Sequence, residues 1–547
     1  MRAVGPGGPK SAVPLHSPVP YPQGLPAAAA AGPHGSIWAD RPAALPALIA
    51  ALTLLHLLLA AVLPLLPQEA YYWTWSRHLD SGYFDHPPLV AWGIAATTGL
   101  FGSTVFGIKL AAVMWSLGWN LLWARLVLDL YGDRRLAVGS LLALNLSLLY
   151  AAYGLGPTPD GPLLFGWLGT LWAVWRAGQT GQRRWWLWAG LFAGLALLGK
   201  YSAVLLAPVV LLALAGVPAW RHWLRSPWPY AAALLALALF SPVVLWNAEH
   251  GWASFAFQGS RRVGQMHSFK PQFLLLLLAT QALMLTPWLF GLSLQALGRG
   301  LRKLLARRAD AATVLLLCSA LVPLLVFGAA SLRSHVKINW LLPAWWSLVV
   351  LGLQPLLREQ PWPRRRLAWG LGSTAAMFVL AAALALVHDL PMLHGMNSWS
   401  GWAEAAQHVD RLQRADRAAG VRSFVFAPTY KSSALLRYHL PGQPRTYAQD
   451  IYGAPALQFD HFALDEDLKG ATGYLVLSDQ AQSQLDLQRV APYFATLQKV
   501  DALRVEAFGR VTRRITIYRG TLYNGHPRLD AAHAARSGQA DAGTDDE

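Results

Sequence analysis

Charge is what this sequence lacks most. Only 13% of its 547 residues are charged, while 54% are hydrophobic. An ordinary soluble domain carries about 25% charged residues. Cysteine is nearly absent. The one thiol, Cys318, sits inside an apolar run, which excludes an intrachain disulfide and any metal cluster built on cysteines. Acidic residues are scarce too, 28 against 45 Lys and Arg, for a net charge of +17. So basic a chain could bind nucleic acid. However, most of its cations sit in short loops between apolar runs, the pattern of a membrane protein whose cytoplasmic loops are positive. No internal repeat is visible.

What the chain has instead is long apolar stretches. Ala43–Leu66 and Phe273–Leu292 reach the roughly 20 residues that span a bilayer. The runs are continuous rather than alternating, so the spanning elements are helices. About eleven spans are predicted, near 43–66, 104–128, 136–154, 161–177, 185–199, 203–217, 229–246, 272–293, 311–331, 341–356 and 369–387. The apolar stretch 88–103 is too short to join them and is expected along the interface.

Loop charges orient the spans. One set of loops holds Arg134, Arg135, Arg176, Arg183, Arg184, Arg221, Arg225, Arg299, Arg302, Lys303, Arg307, Arg308, Arg358 and Arg364 to Arg366. The alternating set is poorer: Arg77, Lys200, Arg261, Arg262, Lys270, Arg333 and Lys337. The first set is therefore expected in the cytoplasm. With an odd number of spans, the N-terminus lies inside and the C-terminus outside.

The ends read differently. Residues 1–42, rich in Pro, Gly and Ala, are expected to form a disordered cytoplasmic tail. Residues 43–387 form the membrane domain. Residues 388–524 are more polar, with strand-like runs "RSFVFAP", "GYLVLSD" and "RITIYRG" and a helical "YKSSALLRYHL" between them. This is the pattern of a small α/β domain on the outer face. Residues 525–547 are again expected to be disordered.

The ionisable residues that stand out all fall in the outward loops. The first, "QEAYYWTWSRHLDSGYFDHPPLVAW", carries Glu69, Tyr72, Asp80, Asp85 and His86. Later loops supply Asp160, Lys200, Glu249, His250, Arg261, Arg262, Arg333, His335, Lys337 and Asn339. Each has a plain reading beside a functional one. Asp160 could cap the next helix. Lys200 could snorkel to headgroups, and Arg261 and Arg262 could bind them. The Tyr and Trp residues of the first loop could form an aromatic belt. His78 and Asp80 read as solvated surface groups. Glu69 is harder to dismiss: a carboxylate directly after an apolar span is costly and a functional candidate.

Taken in order, "EAYYWTWSRHLDSGYFDHPPLVAW", "TPDGPLLF", "GLALLGKYSAVLL", "WNAEHGWASFAFQ" and "KINWLLPAW" resemble the bacterial branch of the protein-mannosyltransferase-like glycosyltransferases of GT-C fold. They are most similar to the aminoarabinose and galacturonic acid transferases that modify lipid A. The resemblance covers about 43–460 and implies a polyprenyl-phosphate sugar donor used on the outer face of the inner membrane. That family opens its first loop with an Asp-Glu pair. Here the pair is Gln68-Glu69, which passes the missing acid's role to Glu69 or Asp85. A later acid, cation or His, and proline motif is Asp85-His86-Pro87, and the family's second-loop acid falls on Asp160.

The implied chemistry suits these residues. A sugar hydroxyl needs a carboxylate to take its proton: Glu69 or Asp85. The oxocarbenium-like transition state is stabilised by nearby carboxylates. The departing lipid phosphate gains charge that cations offset: His86, Lys200, Arg261, Arg262 and Lys337, with Tyr72 lining the site. Asp160 would orient the acceptor or hold a divalent metal ion, whose requirement spacing does not reveal. The expected partners are the polyprenyl-phosphate sugar, a lipid or glycan acceptor and membrane lipids, without nucleic acid. Transfer is expected by single displacement with inversion. Two rivals stay open. A secondary transporter predicts mid-membrane charges and related halves. A non-catalytic polyprenyl-lipid-binding protein is compatible with Gln68.

Overall fold

The computed structural model describes residues 39, 41–261, 269–358, 364–386, 399–462, 468–479 and 483–525. The tails expected at 1–42 and 525–547 lie almost wholly outside the described residues. Each predicted apolar run forms helix. In order come α1 (Ala44–Val62), α2 (Pro67–Ser76), α3 (Leu89–Phe101), α4 (Val105–Tyr131), α5 (Arg134–Asn145), α6 (Leu148–Leu155), α7 (Asp160–Thr180), α8 (Arg184–Gly199), α9 (Leu206–Gly216) and α10 (Trp228–Glu249). Helices Gln272–Leu285, Pro287–Leu305, Ala311–Ser331, Leu342–Arg358 and Arg364–Leu386 follow.

Local signals set their ends. Thr104 and Asp133 accept the Gly107 and Leu136 amides at the starts of α4 and α5, as short polar N-caps do. Gly132 ends α4 in the left-handed region at φ 63°, where glycine meets no Cβ penalty.

Among the described residues, six helices are long and apolar enough to cross a membrane, or up to eight if each bent pair is one span. The bent pairs are α5 with α6, at 76°, and Gln272–Leu285 with Pro287–Leu305, at 114°. Helices α7, α8 and α9 coincide with predicted spans but fail this joint test of length and apolarity, so it does not reach eleven. The chain is a multi-pass helical membrane protein with a small C-terminal sheet.

One face of α4 carries a stripe of buried polar groups. Lys109 meets Glu69 of α2, Ser116 meets His56 of α1 at 3.1 Å, Asn120 exchanges two hydrogen bonds with Asn145 of α5, and the Trp123 indole donates to Ser140 of α5. These positions recur at near-helical spacing, so they share a face. Hydrogen bonds between membrane helices contribute about 0.6 kcal/mol each on average, and here they tie three helices to one.

The C-terminal sheet has strands β1 (Ser423–Phe426), β2 (Thr472–Ser478), β3 (Thr496–Ala507) and β4 (Arg510–Thr521) in the order β1-β2-β4-β3. β1 and β2 are parallel; the other pairings are antiparallel. Period-2 alternation sends Tyr474 and Val476 to one face and Leu475 and Leu477 to the other. The first face joins a core with helices Trp402–Ala418 and Tyr430–His439, and that core continues into α2 and α3. The sheet region is thus bonded through apolar packing to the first loop of the membrane part.

Candidate active site

Helix α2 begins where Pro67 takes the first helical position, the place its missing N–H matters least. Glu69 folds back and accepts the Leu66 amide at 2.9 Å. Both its oxygens also lie 2.7 Å from the Lys109 ammonium, and Glu69 and Lys109 are each 2% exposed. Glu69 is therefore the buried half of an ion pair. Lys109 was readable as a lysine within an apolar span, itself a functional signal, yet no role was expected of it.

The aromatics of α2 form no headgroup belt. Tyr71, Tyr72, Trp73 and Trp75 are all buried. Tyr71 packs on Tyr430 and Phe459, and Trp73 meets Tyr438 edge-on at 5.3 Å. The C-terminal region covers them, which overturns the belt reading: the rings serve as a core between two parts of the chain. His78 and Asp80 are also more engaged than solvated groups. His78 lies 3.0 Å from an Arg437 nitrogen, and Asp80 accepts the Trp246 indole at 2.8 Å.

Asp85 lies in the loop between α2 and α3 and is buried. The Tyr71 hydroxyl donates to its Oδ2 at 2.6 Å. The loop backbone is gripped from several elements: Ser254 donates to the Tyr83 and Phe84 carbonyls, and Gln258 donates to the Asp85 carbonyl. The Phe84 amide donates to the Gln458 side chain. His86 follows, its ring 6.3 Å from that of Tyr72. Gln68 stands where the resembled family has an acid, at the second position of α2.

Asp160 is the first residue of α7 and makes no capping bond. Its Oδ1 accepts from Lys200 at 2.8 Å and its Oδ2 from Asn339 at 2.6 Å. The capping reading of Asp160 therefore fails, and so does the snorkelling reading of Lys200, whose side chain is 7% exposed. Gly199 permits this approach. A Cβ there would stand 2.8 Å from the Leu163 amide nitrogen, forcing α7 and α8 apart beside the pair. Burial raises the Tyr72 phenol well above its ordinary range, and Asp85 and Asp160 both add to that rise. One buried ring thus senses both acids.

Lys337 is exposed, as are Arg333, His335 and Glu249. Arg262 and the Arg261 side chain lie outside the described residues. Among the described residues no group of three or more His, Cys, Asp and Glu is placed to hold a metal ion. The structure therefore joins Asp160 to Lys200 and Asn339, places Tyr72 beside His86 and Tyr71 on Asp85, and pairs Glu69 with Lys109 beside Gly156 of the loop that leads to Asp160.

Several known proteins resemble this chain. Residues 85–246, starting at Asp85, match the dolichyl-phosphate-mannose-protein mannosyltransferase family. The lipid A galacturonosyltransferase RgtD of Rhizobium johnstonii is 27% identical over 424 residues, 74% of this chain and 85% of that protein. The undecaprenyl phosphate-alpha-4-amino-4-deoxy-L-arabinose arabinosyl transferase of Pseudomonas aeruginosa is 32% identical over 177 residues, 30% of this chain and 31% of that one. The crystal structure of ArnT from Cupriavidus metallidurans bound to undecaprenyl phosphate superimposes with a TM-score of 0.58 at 16% identity, over 87% of this chain and 98% of that one. That likeness shows the fold. The chain is a GT-C-fold membrane protein that resembles the aminoarabinose and galacturonic acid transferases of bacterial lipid A.

Proposed function

We infer that the chain is a glycosyltransferase that moves one sugar from a polyprenyl-phosphate carrier to an acceptor outside the inner membrane. Lipid A is the acceptor class that one relative's name favours, with another envelope glycan or a protein as further candidates. The carrying observation is the buried meeting of an acid and a cation from separate loops, Asp160 with Lys200 and Asn339, beside a first loop that buries Asp85.

Asp85 is the general base in this reading. A phenol donates to it, whereas Glu69 and Asp160 are each bound in an ion pair to a lysine ammonium. Asp160 orients the acceptor. Lys200, His86, Arg261, Arg262 and Lys337 supply positive charge for the departing phosphate, and Tyr72 lines the site. Inversion through single displacement follows from one base acting on one face of the sugar.

The topology belongs to the same reading: eleven crossings, N-terminus in the cytoplasm, and the 388–524 region outside. The support is the loop-charge asymmetry and the helix found at every predicted span.

The test uses the full chain in proteoliposomes with an undecaprenyl-phosphate-linked uronic acid or aminopentose and lipid A. Mass spectrometry should find lipid A heavier by one sugar, and Asp85→Asn should abolish that gain. If neither donor yields a product, and envelope lipids and glycans of cells with and without the protein are identical, the transferase reading fails.

A further inference from the structure

We propose that Tyr71, held by the Gln458 amide of the C-terminal region, is the positioning residue that aims the Asp85 carboxylate. The proposal rests on Asp85 being the base.

The direction of each hydrogen bond follows from the chemistry of its groups. A phenol has one proton to give and lone pairs to accept with. The Gln458 amide lies 3.1 Å from the Tyr71 oxygen, and an amide N–H can only donate. The Tyr71 proton must therefore point to Asp85, 2.6 Å away. Tyr71 is fully buried among Tyr72, Trp75, Tyr430 and Phe459, so its ring has no room to turn aside. Burial, then the charge and hydrogen bond of Asp85, raise its phenol well above the ordinary range, which keeps the proton on Tyr71 and the bond donating.

Gln458 grips the loop a second time. Its side-chain Oε1 accepts the Phe84 amide at 2.7 Å, so one residue fixes the backbone next to Asp85 and, through Tyr71, the carboxylate itself. The turn that presents Gln458 is held in an unusual shape. Leu457 sits at φ 53°, a left-handed conformation that L side chains rarely adopt. The Asp460 carboxylate accepts the Ala456 amide at 2.7 Å and closes the turn. Strain of this kind persists only where the surroundings over-determine it, and here it turns the Gln458 N–H onto Tyr71.

The test is Tyr71→Phe, which keeps the ring and deletes the proton. Losing a donor to a carboxylate makes it take up a proton more readily. The acid limb of the pH–rate profile should move to higher pH. A carboxylate no longer aimed should cost about 10–100-fold in kcat, with KM within about twofold and the unfolding temperature near that of the parent. Gln458→Ala, which keeps the backbone N–H and loses the grip on Phe84, should lower kcat several-fold in the same pattern. Should Tyr71→Phe fail to fold, Gln458→Ala decides. Difference infrared spectroscopy, with Asp85→Asn to identify the band, follows the Asp85 carboxylate without turnover. Its titration should move up in Tyr71→Phe. An unchanged titration midpoint overturns the positioning role. If the parent shows no transfer at all, the transferase reading falls and the infrared titration alone decides the role of Tyr71.

Discussion

Glu69 and Asp85 are both buried acids of the first loop region, yet their surroundings differ in kind. Glu69 faces an ammonium with both oxygens and caps a backbone amide besides. Asp85 faces a phenol, in a loop clamped by neutral groups from residues 254, 258 and 458. One arrangement spends a carboxylate on holding α2 against α4. The other holds a carboxylate through a phenol and a clamped loop backbone. Position in the sequence made the two look equivalent; the partner decides what each acid does.

The sharpest way to break this contrast is to neutralise each acid in turn. Asp85→Asn should cost about 10²–10⁴-fold in transfer, the range of general-base catalysis, with the unfolding temperature nearly unchanged. Lys109→Met should instead cost about 3–5 kcal/mol of stability, because it leaves Glu69 buried and unpaired, as read by unfolding in detergent. The double variant Glu69→Gln with Lys109→Met should regain most of that loss and keep transfer per folded molecule. A stable double variant without transfer would make Glu69 catalytic and erase the contrast.

A milder probe is Asn339→Ala. It removes one hydrogen bond to the Asp160 carboxylate, worth about 1.5–3 kcal/mol for a charged acceptor, and should raise the KM for acceptor while leaving donor binding alone. Kinetics at varied acceptor concentration would show it.

The smallest effect concerns pH at the seam between the C-terminal region and the first loop. Burial, with smaller contributions from Asp450 and Asp85, pushes the Asp460 carboxyl up to about 8. A group raised on folding stabilises fully below its unfolded value near 3.8 and loses that contribution as pH rises through about 8. Burial and then His250 bring His461 down to about 4. Its contribution is present above its unfolded value near 6.5 and lost as pH falls through about 4. Asp460→Asn should therefore unfold a few °C higher than the parent at pH 9, by less at pH 6, and match it only below about pH 4. Equal temperatures at pH 9 would place the Asp460 carboxyl outside the seam's energetics.

Much of this was legible before the structure. Apolar runs announced the membrane helices, though not the polar helix Trp402–Ala418, and the strand-like stretches overlapped β1, β2 and β4. β3 was not seen, because register shifts at Lys499/Asp501 and Val505/Glu506 break the period-2 pattern that reveals a strand. Asp85, Asp160 and Lys200 could be singled out as charges in outward loops, but their partners could not. Asp160 lies 179 residues from Asn339, and Phe84 lies 374 from Gln458. A neutral glutamine in a turn carries no local mark of such a task. The aromatics of α2 misled for a related reason: a headgroup belt and a buried core use the same residue types, and only the distant chain that covers them tells the two apart.

The span from Phe84 to Gln458 also has a meaning in time. A ribosome adding about 5–20 residues per second needs roughly 20–75 s to make the 374 residues between them. Throughout that interval the first loop is already made while its last clamp does not yet exist. The Gln458 grip on Phe84 and Tyr71 can form only after residue 458 is made, so a copy cut short before it carries the membrane helices without that clamp on the first loop.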